Sequence, residues 1–279
     1  MTKARENRPC IDPSEESPLA AALAARDRNV IQMVEAAVQR KAVMLAFQPV
    51  VPASAPASPA FHEALIRVLD DAGRIIPACD FIDAIETTEL GRDIDCLALE
   101  MGLAELRTTP GLRLSVNMSA RSIGYPRWRE TLRRGLAADP TLGERLILEI
   151  TEASALVVPD LVTVFMRELQ DQGLAFALDD FGAGFTSFRY LRNFYFDILK
   201  IDGQFIRGIA DNRDNQCLTK ALLSIAHHFD MFAVAEMVEN GRDAAYLAEI
   251  GVDCLQGYHF GAPVVRPPWR ARAEAQGRA

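Results

Sequence analysis

Five apolar, strand-like runs in this chain end on a carboxylate or a carboxamide. They are Phe61-His62-Glu63, Leu114-Ser115-Val116-Asn117, Leu146-Ile147-Leu148-Glu149, Phe176-Ala177-Leu178-Asp179-Asp180 and Phe232-Ala233-Val234-Ala235-Glu236. One carboxylate after a hydrophobic strand means little. Five in series, most separated by helix-length stretches, point to one end of a parallel sheet that gathers oxygens into a single polar site. Hard divalent cations bind such clusters. In Asp179-Asp180-Phe181-Gly182-Ala183-Gly184 two adjacent acids precede a glycine-containing loop. Adjacent acids repel, so keeping both ionised requires a strong positive partner. A pair of metal ions supplies it, with one carboxylate bridging. Taken alone, the same pair could be a helix cap followed by a turn. In Leu199-Lys200-Ile201-Asp202, strand alternation puts Lys200 and Asp202 on one side, opposite Ile201. An inward lysine needs acidic neighbours. It could pair with Asp202, orient a water or stabilise charge on a phosphoryl group.

The elements that must carry these residues are legible in outline. Residues 23–40 read as a helix, with Val30, Met33, Val34 and Val38 near helical spacing. Met44 to Val51 and Phe61 to Val68 read as strands around a Pro/Ala/Ser loop, and so short a connection pairs them antiparallel. From there strands alternate with helices. Helices are expected near 80–87, 93–108, 127–138, 159–172, 215–229 and 241–250. Strands are expected near 113–117, 145–150, 174–180, 196–201, 231–236 and at Cys254. Asn117 to Glu149 is 32 positions and Glu149 to Asp179 is 30, each room for one helix and its connections. Repeated βα units of this kind form a parallel sheet. About eight strands in one domain favour a closed (β/α)8 TIM-like barrel, of class α/β with an antiparallel first strand, and such barrels carry their reacting groups at the carboxyl ends of the strands. No Gly-x-Gly-x-x-Gly follows the first strand, which disfavours a dinucleotide-binding fold. The expected division is a disordered lead-in over 1–22, the barrel over 23–265 and a loose basic tail over 266–279.

Composition narrows the function. The chain has 279 residues and a net charge of -8, which advertises no DNA-binding surface. A nucleotide substrate stays open, because bound metal ions can supply positive charge. Five scattered cysteines show no zinc spacing, and the four histidines form no helical His-x-x-x-His pair. No apolar run is long enough to cross a bilayer, so a cytoplasmic protein without membrane attachment is expected.

With these residues in view, the chain resembles an EAL domain, the family of cyclic di-GMP-specific phosphodiesterases. Its signature reads Glu63-Ala64-Leu65-Ile66-Arg67. Around it stand Phe47-Gln48-Pro49, Val116-Asn117-Met118-Ser119, Leu148-Glu149-Ile150-Thr151-Glu152, Asp179-Asp180-Phe181-Gly182, Leu199-Lys200-Ile201-Asp202, Ala235-Glu236-Met237-Val238-Glu239 and Gln256-Gly257-Tyr258. The resemblance spans about Met44 to Pro263, and it implies roles residue by residue. Glu63, Asn117, Glu149 and Asp179 hold a first metal; Asp179 bridges to a second, shared with Asp180 and Glu236. Lys200 contacts the attacking water, with Gln256 supporting that water and Glu236. Gln48, Leu65, Arg67 and Asp202 face the substrate, Asp202 also sits beside Lys200, and Glu152 steadies the loop that begins at Asp180. Two ions of Mg2+ or Mn2+ suit these oxygen donors, and Ca2+ is expected to inhibit. The implied reaction hydrolyses cyclic di-GMP to linear 5′-pGpG. A homodimer, coupled to the loop after Asp180, and a regulatory protein partner are also implied.

The chain departs from the family pattern in three places. Met237 stands where glycine is usual, Asp83 where proline is common, and the loop reads Gly184-Phe185-Thr186-Ser187-Phe188-Arg189, with Phe185 for a frequent tyrosine and an unusual Arg189. None removes a metal ligand. The competing readings are a non-catalytic cyclic di-GMP receptor and a protein-interaction scaffold. A complete and mutually repelling ligand set argues against both.

Overall fold

The computed structural model describes residues 18–184 and 191–270, with side chains from residue 26 onward. The described strands are β1 (Val43–Pro52), β2 (Phe61–Leu69), β3 (Ile75–Ile76), β4 (Leu114–Asn117), β5 (Leu146–Thr151), β6 (Ala175–Phe181), β7 (Ile198–Ile201), β8 (Phe232–Ala235) and β9 (Cys254–Gln256). They run in the order β1-β9-β8-β7-β6-β5-β4-β2-β3, and β1 also pairs with β2, so eight strands close a barrel and β3 is a short edge outside it. β1 is antiparallel to both neighbours, pairing Gln48 with Glu63 on one side and Val50 with Gln256 on the other. The remaining barrel pairs, from β2–β4 to β8–β9, are parallel. This is the α/β (β/α)8 TIM-like barrel with an antiparallel first strand that the βα alternation implied.

The described helices are α1 (Pro18–Gln39), α2 (Ile82–Ile85), α3 (Glu89–Thr108), α4 (Pro126–Ala138), α5 (Glu152–Ala155), α6 (Pro159–Gln170), α7 (Gly203–Ile206), α8 (Arg213–His228) and α9 (Gly241–Glu249). Their apolar stripes and the outer faces of the strands form the main core, where Trp128, Phe165 and Phe176 stack edge-on or tilted in series. α1 lays Val30, Val34 and Val38 against Val68, Ile76, Phe81 and Ile85. The helix expected near 80–87 is only a single 3-10 turn and the four-residue α2. Phe81 and Ile85 are buried there while Ile82 is exposed, leaving no continuous apolar stripe to extend it.

Inside the barrel the strand period does the positioning. Val50, Phe61, Ile147, Ala177, Ile198 and Val234 form one buried apolar plug. Because side chains repeat every second residue, the next inward positions toward the carboxyl end are Glu63, Glu149, Asp179, Lys200 and Glu236. On the antiparallel β1 the direction reverses, and Gln48 takes that level. A dry floor thus lies directly beneath a polar ceiling.

The tail is not loose where it is described. Val264 and Phe47 exchange backbone hydrogen bonds at 2.9 and 3.0 Å. The Trp269 ring meets Phe47 and His62 edge-on, and its Nε1 donates to Glu105 at 2.6 Å. Arg270 donates to both Glu105 oxygens and lies over the Phe47 ring. Apolar and charged contacts thus bind residues 266–270 to the barrel, correcting that part of the expected tail. Of the lead-in expected over 1–22, residues 1–17 lie outside the described residues, as do the loop positions Phe185 to Arg189 with the expected dimer coupling and residues 271–279; positions 18–22 open α1, which corrects that part of the expected disorder.

Candidate metal centre

Lys200 sits at the centre of the polar layer, 1% exposed. Its Nζ lies 2.8 Å from Glu149, 2.8 Å from Glu236, 3.0 Å from Asp179 and 3.4 Å from Glu63. Four strands contribute those carboxylates, and a fifth holds the lysine. Asn117 donates to Glu63 Oε1 at 2.8 Å, and Gln256 donates to Glu63 Oε2 at 2.6 Å and to Gln48 Oε1 at 3.2 Å. Gln48 Nε2 in turn donates to the Gly261 carbonyl at 3.2 Å. The amides therefore fix the carboxylate and leave its charge in place.

Beside this cluster Asp179, Asp180 and Glu236 each offer an oxygen within 4.8 Å of the others. Asp180 is exposed and left-handed (φ 54°), a conformation aspartate tolerates better than most side chains. Gly182 follows at φ 94°, where an added Cβ would strike the Phe205 ring at 2.7 Å. The Gly182 N–H donates to Glu152 Oε2 at 3.3 Å, so Glu152 braces the turn that presents Asp180.

The charges do not balance among the side chains. Glu63, Glu149, Asp179, Asp180 and Glu236 share the single ammonium of Lys200, so with all five ionised the formal charge is about −4, a charge that bound divalent cations would offset. Burial pushes Glu149 up to about 8, opposed by Lys200 and reinforced by Glu63 and Asp179. Burial likewise drives Glu236 well above the carboxylate range. Partial burial and the charges of Asp179 and Asp202 raise Asp180 to about 6. Glu63 moves the other way: burial works against its charge, but Lys200 and the Gln256 and Asn117 hydrogen bonds outweigh it. Burial also disfavours the Lys200 ammonium, yet the surrounding carboxylates hold it protonated far above the usual range.

Buried acceptors remain open. Glu149 Oε1 and Gln256 Oε1 have no hydrogen-bond partner, and Asp179 Oδ1 has only its ion pair with Lys200. Unsatisfied buried acceptors are costly, and a cation is the partner that suits clustered oxygens. The donor set therefore fits Mg2+ or Mn2+.

Most sequence-predicted residues converge here. Gln48, Glu63, Leu65, Arg67, Glu236 and Gln256 line one cavity of about 290 Å³ at the barrel mouth. Asp202 departs from its expected place beside Lys200. It lies beyond β7, where strand alternation has ended, and caps α7 by accepting the Gln204 N–H at 2.7 Å. Sequence reasoning missed Arg207 on the cavity wall and gave no role to Glu239 and Tyr258, which also line it although both lie within the quoted motifs. It also missed Asp95, which accepts the Ser119 N–H at 2.9 Å and the Ser122 hydroxyl at 2.6 Å and so anchors the turn after Asn117.

Comparison with known proteins follows the same lines. The EAL domain family profile matches residues 31–263. The cyclic di-GMP phosphodiesterase PdeB of Shewanella oneidensis is 30% identical over 231 residues, covering 81% of this chain and 27% of that protein. PdeF of Escherichia coli, also named a cyclic di-GMP phosphodiesterase, is 32% identical over 207 residues, covering 73% and 28%. This chain therefore spans under a third of either relative. Among solved structures, the PaMucR phosphodiesterase in complex with c-di-GMP superposes with a TM-score of 0.74 at 26% identity, covering 87% of this chain and 99% of that one. The FimX EAL domain from Pseudomonas aeruginosa bound to c-di-GMP superposes with a TM-score of 0.76 at 25% identity, covering 85% and 96%.

Proposed function

The chain belongs to the EAL domain family, and on that premise we propose that it is a two-metal phosphodiesterase hydrolysing cyclic di-GMP to linear 5′-pGpG. The supporting observation is the convergence of five carboxylates from four strands around one buried lysine, with acceptors left open. Glu63, Asn117, Glu149 and Asp179 would hold one ion, and Asp179, Asp180 and Glu236 the other. When bound, such a pair activates a water near neutral pH and stabilises a departing 3′-oxygen.

The chain's own residues do the rest. The carboxylates favour the Lys200 ammonium, which would donate hydrogen bonds to the water or the phosphoryl oxygens. Gln256 orients Glu63 and Gln48 together. Arg67, half-buried on the cavity wall, offers a planar fork to a phosphate. Leu65 supplies an apolar wall, and Glu152 holds the Asp180 turn. Asp202 acts at a remove, its charge bearing on Asp180. A homodimer and a regulatory partner remain part of the proposal. Among the described residues, no helix is long and apolar enough to cross a membrane.

Incubation with cyclic di-GMP and Mg2+ or Mn2+, followed by nucleotide chromatography, tests the reading. Linear product that disappears in Glu63→Ala supports it. Binding without turnover would make the chain a receptor instead, and neither outcome would leave only a scaffold.

A further inference from the structure

We propose that Met237 forms a substrate-contacting wall of the cavity and sets affinity for the planar base of the nucleotide. This rests on the reading of the mouth as a cyclic di-GMP site. Met237 follows Glu236 and adopts φ 53°, the left-handed region that side chains avoid and glycine enters freely. Among the described residues the other non-glycines there are Lys41, Asp180 and Asp230, so the only two at the mouth are Asp180 and Met237. Strain of this kind persists where surrounding structure enforces it. Here the enforcement is visible: Val238 donates to the Gln256 carbonyl at 2.9 Å and accepts from the His259 N–H at 3.1 Å, pinning the strand-end segment that carries Met237.

A second position makes room for the side chain. A Cβ on Gly203 would lie 2.6 and 2.7 Å from Met237 Cγ and Cβ and would also collide with the sulfur. A bulky residue thus stands on a strained backbone and rests on a bare glycine. Core packing does not account for this, because Met237 remains 43% exposed. Its free face lines the same cavity as Glu63, Arg67, Gln256 and Tyr258, the last a ring that is 70% exposed. A thioether is polarisable and adaptable, and it contacts aromatic faces favourably. A wall holding Met237 and Tyr258 suits a flat heteroaromatic ring whose phosphate is held by Arg67.

The test is steady-state kinetics of the full chain on cyclic di-GMP with Mn2+, comparing Met237→Gly, Met237→Leu and wild type. Removing the wall is expected to raise KM about tenfold while kcat changes less than about twofold, the signature of lost uniform binding. Leucine keeps the bulk and is expected to hold KM within about threefold. Should the glycine variant fail to fold, Met237→Ala carries the same expectation. Unchanged KM with turnover intact would overturn the wall and leave the phosphodiesterase reading standing. A fall in kcat at unchanged KM would make Met237 a support for Glu236 and overturn the proposal equally. Wild type that neither binds nor cleaves cyclic di-GMP would overturn both.

Discussion

Glu149→Gln should stabilise the metal-free protein while removing its activity. Glu149 is 1% exposed, and burial holds its carboxyl near 8 against an ordinary value of 4.5. The sign follows from proton counts. Between those two values the folded state binds the proton and the unfolded state does not, so stability falls as pH rises from about 4.5 through 8. At pH 7 the mismatch costs about 3 kcal/mol, from about 2.5 units at 1.36 kcal/mol each. A neutral amide removes that cost, although its N–H2 faces Lys200 and sacrifices part of the gain. The expected net is about 1–3 kcal/mol, or roughly 3–8 °C in Tm for a domain of this size. The assay is thermal unfolding in chelator at pH 5 and pH 7.5, with the two proteins converging at the acid end. In saturating Mg2+ the order should reverse. Wild type gains about 3 kcal/mol at a hundredfold excess over Kd, the variant gains far less, and turnover falls at least about a thousandfold. A variant less stable than wild type in chelator at both pH values, or one that keeps the full metal-induced shift, would refute the reasoning.

Three further outcomes are expected. Burial raises Asp95 to about 7, so its contribution to stability falls as pH rises from about 4 to 7; Asp95→Asn should remove up to about 1.4 kcal/mol per pH unit from the slope, seen in urea midpoints across that range. Arg270→Ala leaves the buried Glu105 carboxylate with the Trp269 N–H but no cation and should cost about 1–2 kcal/mol by urea unfolding; a loss under about 0.5 kcal/mol would mean that this ion pair contributes nothing. Calcium binds oxygens at longer, looser distances than magnesium, so saturating Ca2+ should suppress Mg2+-supported turnover, and full turnover in Ca2+ alone would contradict this account of metal control.

The barrel and most of its mouth were legible in the sequence because both obey a short period. Most strands announce themselves as apolar runs, the two-residue β3 and the short β9 excepted, and the same two-residue alternation that puts Ile147 in the floor puts Glu149 in the site. Legibility ended where that period ends. Asp202 follows the Lys200 alternation on paper, yet the strand stops at Ile201 and the aspartate becomes a helix cap. Glu105, Trp269 and Arg270 meet across more than 160 positions, and no local pattern announces such a contact. Nothing in the sequence sets Asp95 apart from the other polar residues of α3, because its partners lie on the turn after β4. Met237 was visible as a departure from the family pattern. Its strained backbone and its seat on Gly203 required the fold.

Anomalous diffraction from Mn2+-loaded crystals tests the central claim most directly. Two manganese peaks roughly 3.5–4 Å apart are expected, one within bonding distance of Glu63, Asn117, Glu149 and Asp179 and the other of Asp179, Asp180 and Glu236. A mouth that takes up no metal, or ions bound away from these oxygens while turnover continues, would contradict it.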